Sequence, residues 1–135
     1  MILWIDDESR RVKVYLEELD LCGYKVVLKE DIDEALKFWE NHKNEIQLII
    51  LDIMMPIGKN FSESERQEAE YGLNTGIFIH DKYFKDGQST VIFFTHLSSV
   101  NFEDDDKNIQ THLLKKIDYL PSEFSQKVEE ILKQS

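Results

Sequence analysis

The 135-residue sequence predicts an α/β fold, a single doubly wound five-stranded parallel sheet with helices on both faces. Two observations predict it. Five short apolar runs punctuate the chain, most of them without polar alternation, as in strands covered on both faces. Between them lie stretches whose apolar residues recur at helical spacing. Strand and helix alternate five times, and right-handed crossovers then lay helices on both faces of a parallel sheet.

The first run is Ile2 to Ile5, and a helix follows in which Val12, Tyr15, Leu16 and Leu19 share one face. The second run, Val26 to Leu28, is followed by Ile32, Ala35, Leu36 and Trp39 at the same spacing. The third is Leu48 to Leu51. After it, residues 58 to 71 are polar and read as a long loop or a short solvent-exposed helix. Gly76 to Phe84 predicts a less regular helix, followed by the fourth run, Val91 to Phe94. Only the polar stretch Ser98 to Gln110 separates this from the fifth run, Leu113 and Leu114. A short, weakly held helix is expected there, with the acidic residues 103 to 106 on a solvated face or loop. Phe124, Val128, Ile131 and Leu132 mark a last helix after Pro121. No repeat and no linker defines a second domain.

Composition narrows the function. The formal net charge of −11 excludes the basic footprint of a nucleic-acid binder and disfavours docking on anionic lipid. It suits a cation or a partner with a basic surface. No apolar run approaches the length of a membrane span, and the N-terminus has no signal-peptide pattern. The expected location is the cytoplasm. The single cysteine, Cys22, has no partner for a disulfide or a zinc site and is expected to be a buried structural thiol.

Ligands of parallel α/β sheets bind beyond the carboxyl ends of the strands. The first run ends in Asp6 and Asp7, the third in Asp52, the fourth in Thr95 and the fifth in Lys115 and Lys116. Each has an ordinary reading, such as a helix cap for Asp7 or a turn residue for Asp52. Together they bring three carboxylates, a hydroxyl and an ammonium to one sheet edge. Clustered carboxylates repel unless something neutralises them. A hard divalent cation does so with oxygen ligands, and Mg2+ typically takes one or two carboxylates plus waters and phosphate oxygens. A lysine and a hydroxyl opposite the cation suit a phosphoryl group.

The segments "ILWIDDE" (2–8), "LIILDIMMP" (48–56), "TVIFFTHLS" (90–98) and "LLKKID" (113–118) resemble, in this order, the receiver domain of two-component response regulators. The resemblance covers nearly the whole chain. It implies the strand order 2-1-3-4-5 and one domain over residues 1 to 135, with 57 to 75 as an insertion before the third helix. It implies that Asp52 accepts a phosphoryl group from a histidine kinase or phosphotransfer protein. Mg2+ would be bound by Asp7 directly, Asp6 through water, Asp52, and the Met54 carbonyl. Thr95 would be the switch hydroxyl and Lys115 the lysine that pairs with the phosphoryl group, Lys115 being preferred over Lys116. The 95–112 surface would then change for an unknown downstream protein, and a phosphorylation-dependent dimer is a further partner the resemblance admits. Any catalysis would be at most self-phosphorylation and autodephosphorylation.

The sequence departs from the family pattern at four places. His96 stands where a small residue is usual and would restrict access to Asp52. His112 stands at the aromatic switch position. Met54 replaces a more polar residue. The stretch from Pro56 to Gly76 is longer than usual and would gate the site or contact a partner. Two other functions compete with a working receiver. One is a pseudo-receiver that only binds partners. The other is a Mg2+-dependent phosphatase with an aspartate nucleophile, disfavoured because Met54 occupies the place of its usual second acid.

Overall fold

The computed structural model describes residues 1–96 and 111–134. Five strands form one all-parallel sheet in the order β2-β1-β3-β4-β5. They are β1 (Ile2–Ile5), β2 (Val26–Lys29), β3 (Leu48–Leu51), β4 (Thr90–Thr95) and β5 (Thr111–Lys115). The helices are α1 (Ser9–Leu21), α2 (Ile32–His42), α3 (Glu63–Glu68), α4 (Thr75–Ile79) and α5 (Pro121–Gln134). The expected fold class and strand order are both observed.

Side chains alternate across each strand, so β1, β3, β4 and β5 feed two cores, while β2 at the edge adds Val26 and Leu28 to one. Leu3, Ile5, Ile49, Leu51, Val91 and Phe93 pack against Ile32 and Ala35 of α2 and Phe78 and Ile79 of α4. Ile2, Trp4, Leu48, Ile50, Ile92, Phe94 and Leu114 pack against Val12 and Leu19 of α1 and Phe124, Val128 and Ile131 of α5. Double burial explains why the runs in β1, β3 and β4 show no polar alternation. β2 lies at the sheet edge and is only partly buried, yet it keeps an apolar run.

The α1/α5 core is aromatic beneath the sheet's carboxyl edge. Trp4, Tyr15, Phe94 and Phe124 form one cluster, with Phe94 and Phe124 stacked at 4.1 Å between ring centroids. Aromatic pairs of this kind add to area burial and keep the layer below the edge dry.

Three local features have physical causes, and the third departs from expectation. Residues 80–84 continue α4 as a π-helical turn, which explains the irregular apolar spacing there. The polar 58–71 stretch does contain a helix, α3, because Ser62 caps it and Glu65 reaches back to the Ser62 N–H, a complete capping box. Cys22 is exposed, not buried. It lies at the C-terminal cap of α1, after the last residue that faces the core. The expected helix within 98–110 and the acidic residues 103–106 lie outside the described residues.

The segment 57–75 is pinned at both flanks. The Asp33 carboxylate, on the first turn of α2, accepts the backbone N–H groups of Lys59 and Asn60. Arg66 donates to the Gly58 carbonyl, and Lys82 pairs with Glu65. Phe61 and Ala69 are buried in the α2-side core. At the base, Met55 N–H donates to the Gly72 carbonyl at 3.1 Å, and Gly76 N–H donates to the Ile53 carbonyl at 2.9 Å. Gly72 has φ 104, and a Cβ there would stand 3.2 Å from the Met55 carbonyl oxygen. Glycine meets both demands at once.

Candidate functional site

The site grows from strand ends held in register. Asp6 N–H donates to the Lys29 carbonyl, and Asp52 N–H donates to the Ile5 carbonyl at 3.0 Å. The three strands β2, β1 and β3 therefore end together and deliver Asp6, Asp7 and Asp52 to one edge. One carboxylate oxygen from each lies within 4.8 Å of the other two. Asp6 and Asp52 are buried, whereas Asp7 is exposed at the rim.

Each carboxylate has a distinct environment. Asp6 accepts the Glu8 N–H at 2.9 Å through Oδ1 and the Lys116 ammonium at 2.7 Å through Oδ2. Asp52 accepts the Ile53 N–H at 2.9 Å, and its other oxygen lies 3.8 Å from Lys116 Nζ. Burial, and then the neighbouring Asp6 charge, push the Asp52 carboxyl up to about 7. Lys116 and the Ile53 N–H oppose that displacement without cancelling it. Asp7 is raised by burial first and by Asp6 second. The cluster thus carries more negative charge than one ammonium neutralises. Among the described residues this is the group able to hold a metal ion. An all-oxygen donor set with excess negative charge fits a hard divalent cation.

The ammonium at the cluster is that of Lys116, not the preferred Lys115. Lys116 is buried, its Nζ 6.0 Å from the centre of the Phe94 ring. Lys115 is the last residue of β5, paired with Thr95, and is only partly buried. Strand parity explains the difference. Trp4 and Asp6, Ile50 and Asp52, and Leu114 and Lys116 each stand two residues apart. In each pair the first member belongs to the α1/α5 core. Leu113 packs in the opposite core, and Lys115 shares its parity. The apolar pair at 113–114 does not by itself reveal this, because Leu113 and Leu114 face opposite cores.

Thr95 is buried at the end of β4, on the same sheet edge. Met54 projects its side chain to solvent, 44% exposed beside the cluster. His96 is exposed, and its imidazole is held below its usual value by burial first and then by Lys116 and Arg11. His112 lies within β5 opposite Ile92. Glu8, not Asp7, stands at the N-cap of α1, without a side-chain cap. That leaves the Asp7 carboxylate with the cluster.

Gly76 fixes the back of the site. A Cβ at this position would overlap the Asp52 carbonyl oxygen and crowd Ile53 Cα. Glycine lets α4 begin directly against the strand that carries Asp52.

This architecture aligns with solved structures over almost its entire length. The receiver domain of the hybrid histidine kinase CckA matches 97% of this chain and 97% of its own, with TM-score 0.66 and 21% identity. A CheY-like response regulator receiver domain protein from Methanospirillum hungatei JF-1 matches 98% of this chain and 93% of its own, with TM-score 0.71 and 19% identity. The fold is that of a response-regulator receiver domain. The receiver domain of NtrX from Brucella abortus aligns over 100% of both chains, with TM-score 0.68 and 17% identity.

Two curated transcriptional regulators also match in sequence. The probable transcriptional regulator ycf27 of Cyanidium caldarium is 44% identical over 55 residues, which are 41% of this chain and 21% of that protein. The alkaline phosphatase synthesis transcriptional regulatory protein PhoP of Bacillus subtilis (strain 168) is 42% identical over 55 residues, or 41% of this chain and 22% of that protein. The matched receiver-like stretch thus spans about a fifth of the length of these relatives. No family model matches the chain.

Proposed function

We propose that the protein is a phosphoryl-accepting signalling switch with Asp52 as acceptor. The observation that carries this reading is the buried Asp52 carboxylate, whose oxygens stand beside Asp6, Asp7 and the Lys116 ammonium. Asp52 attacks phosphorus as a nucleophile. An oxygen–phosphorus bond forms while the phosphorus–nitrogen bond of a donor phosphohistidine breaks, and the leaving imidazole keeps the electron pair and takes up a proton. Asp6, Asp7, Asp52 and the Met54 carbonyl would hold Mg2+, which supplies charge neutralisation and phosphoryl orientation when bound.

Lys116 takes the lysine role in this reading. Its ammonium is within reach of both Asp6 and Asp52, so it can exchange the Asp6 carboxylate for a phosphoryl oxygen. Thr95 supplies the switch hydroxyl at the end of β4. The new charge on Asp52 then draws both groups inward and biases the chain after Thr95. Partners on this reading are a histidine kinase or phosphotransfer protein, a downstream protein that reads the 95–112 surface, and a second copy of the chain upon phosphorylation. Residues 57–75 form an insertion within one receiver domain of residues 1–135, positioned to contact such a partner. The location is cytoplasmic. In support, no helix among the described residues is long and apolar enough to cross a membrane.

Intact mass after incubation with acetyl phosphate and Mg2+ tests the proposal. One added phosphoryl group is expected, absent from the Asp52→Asn variant and from a metal-depleted sample. An adduct that persists in Asp52→Asn would assign the acceptor elsewhere. If neither acetyl phosphate nor a panel of phosphorylated histidine kinases modifies the chain, the pseudo-receiver reading replaces this one.

A further inference from the structure

Beside Lys116, residues of α1, His96 and residues 115–118 line an open cavity of about 440 Å³. Its wall contains Arg11, His96, Lys115 and Lys116. Arg11, Lys115 and Lys116 bring three cations together here, unusual on a chain with net charge −11, and His96 adds an imidazole. Only Asp118 contributes a carboxylate to the wall. The cations are incompletely satisfied. Arg11 pairs with Glu8 at 3.3 Å in an exposed ion pair, which contributes little. Lys116 is committed to Asp6. Among the described residues, Lys115 forms no ion pair. The rest of the wall is apolar, formed by the Tyr15 ring and the Ile117 side chain. The Tyr15 hydroxyl is occupied, donating to the Tyr119 carbonyl at 2.7 Å. Ile117 is 87% exposed, a high value for an isoleucine beside a cavity.

We infer that this cavity binds a small organic anion, a phosphate monoester or carboxylate carried on an apolar group. Lys115 and Arg11 would donate to the oxyanion, while Tyr15 and Ile117 cover the apolar part. The size suits such a ligand, since small-molecule sites commonly occupy roughly 300–1,000 Å³. Charge-assisted hydrogen bonds to oxyanions are the strong ones, and Arg and Lys both supply them. The site is separate from the acceptor, because Asp52 and Thr95 are not part of the cavity wall. It shares one residue with the acid cluster, so an anion bound there competes with Asp6 for the Lys116 ammonium.

The test uses the full chain carrying Asp52→Asn, metal-depleted, so that neither phosphoryl transfer nor a bound cation contributes. Phenyl phosphate and inorganic phosphate are titrated separately while the His96 imidazole is followed by NMR. Saturable shifts are expected, with phenyl phosphate binding more tightly than inorganic phosphate. Lys115→Ala and Arg11→Ala should each weaken binding roughly tenfold, the effect of losing one charge-assisted hydrogen bond. Absence of saturation, or unchanged affinity in both variants, would overturn the site. Equal affinity for the two probes would overturn the apolar part of the assignment. Failure here leaves the Asp52 proposal untouched, because the experiment contains no phosphoryl donor.

Discussion

Asp52→Asn should make the protein more stable, and by an amount that depends on pH. The variant removes a buried negative charge but keeps an Oδ1 acceptor for the Ile53 N–H. In the folded protein the Asp52 carboxyl is raised from 3.8 to about 7, by burial first and Asp6 second. Between those values the folded state holds a proton that the unfolded chain has released. Stability of the parent protein therefore falls as pH rises through this window, and the loss is complete above about pH 7. A displacement of that size corresponds to about 4 kcal/mol. For a chain of this length, about 1 kcal/mol shifts Tm by roughly 4 °C. Asp52→Asn should accordingly melt about 10–15 °C above the parent near pH 8, with the gap closing toward about pH 4. Thermal unfolding followed by circular dichroism, in metal-depleted buffers across that range, measures it. A gap independent of pH would refute the reasoning, as would a parent protein that gains stability relative to the variant as pH rises.

Four other outcomes follow from the same geometry. Lys116→Met leaves Asp6 buried without its cation and should cost about 3 kcal/mol near neutral pH in urea denaturation. Lys115→Met should cost about 0.5 kcal/mol or less, and equal losses would refute the placement of Lys116. Mg2+ should raise the Tm of the parent protein at pH above 7 more than that of Asp52→Asn, since ligands that bind only the folded state stabilise it. Equal shifts would locate the ion outside the cluster. Gly76→Ala drives a methyl group into the Asp52 carbonyl and should cost about 1–3 kcal/mol in the same urea experiment, with an unchanged midpoint counting against the close approach. Asp33→Ala frees the Lys59 and Asn60 amides, so limited proteolysis should cut within residues 57–71 sooner than in the parent, and an unchanged cleavage rate would show that other contacts hold the insertion.

The strands were legible because burial on both faces forces continuous apolar runs. Leu48–Leu51 needs no alternation when Ile49 faces one core and Ile50 the other. The carboxylates were legible because sheet topology sends strand ends to one edge. The choice between Lys115 and Lys116 turned on a quantity the motif does not contain, the face on which each residue leaves β5. Parity with Leu114 decides it. Cys22 was misplaced for a related reason. Apolar spacing marks a helix face only while the helix lasts, and α1 ends at Leu21, itself 81% exposed. The polar 58–71 stretch concealed its anchors, because Asp33 and Lys82 lie outside it in sequence. Its run of helix formers, residues 63–70, allowed a helix, and the Ser62–Glu65 capping box fixes where it starts.

The Met55–Gly72 hydrogen bond closes the segment between them like the clasp of a bracelet. Chain enters and leaves at neighbouring backbone positions, so the distance from β3 to α4 is independent of how many residues lie between. Loop length is then thermodynamically inexpensive to vary, because closure entropy grows only logarithmically. An evolving lineage, or a protein engineer, can therefore lengthen or exchange the exposed part of residues 57–71 without moving the Asp52 carboxylate, provided Phe61 and Ala69 keep their places in the core. The scaffold carries a ready socket for new recognition elements beside the Asp6, Asp7 and Asp52 cluster.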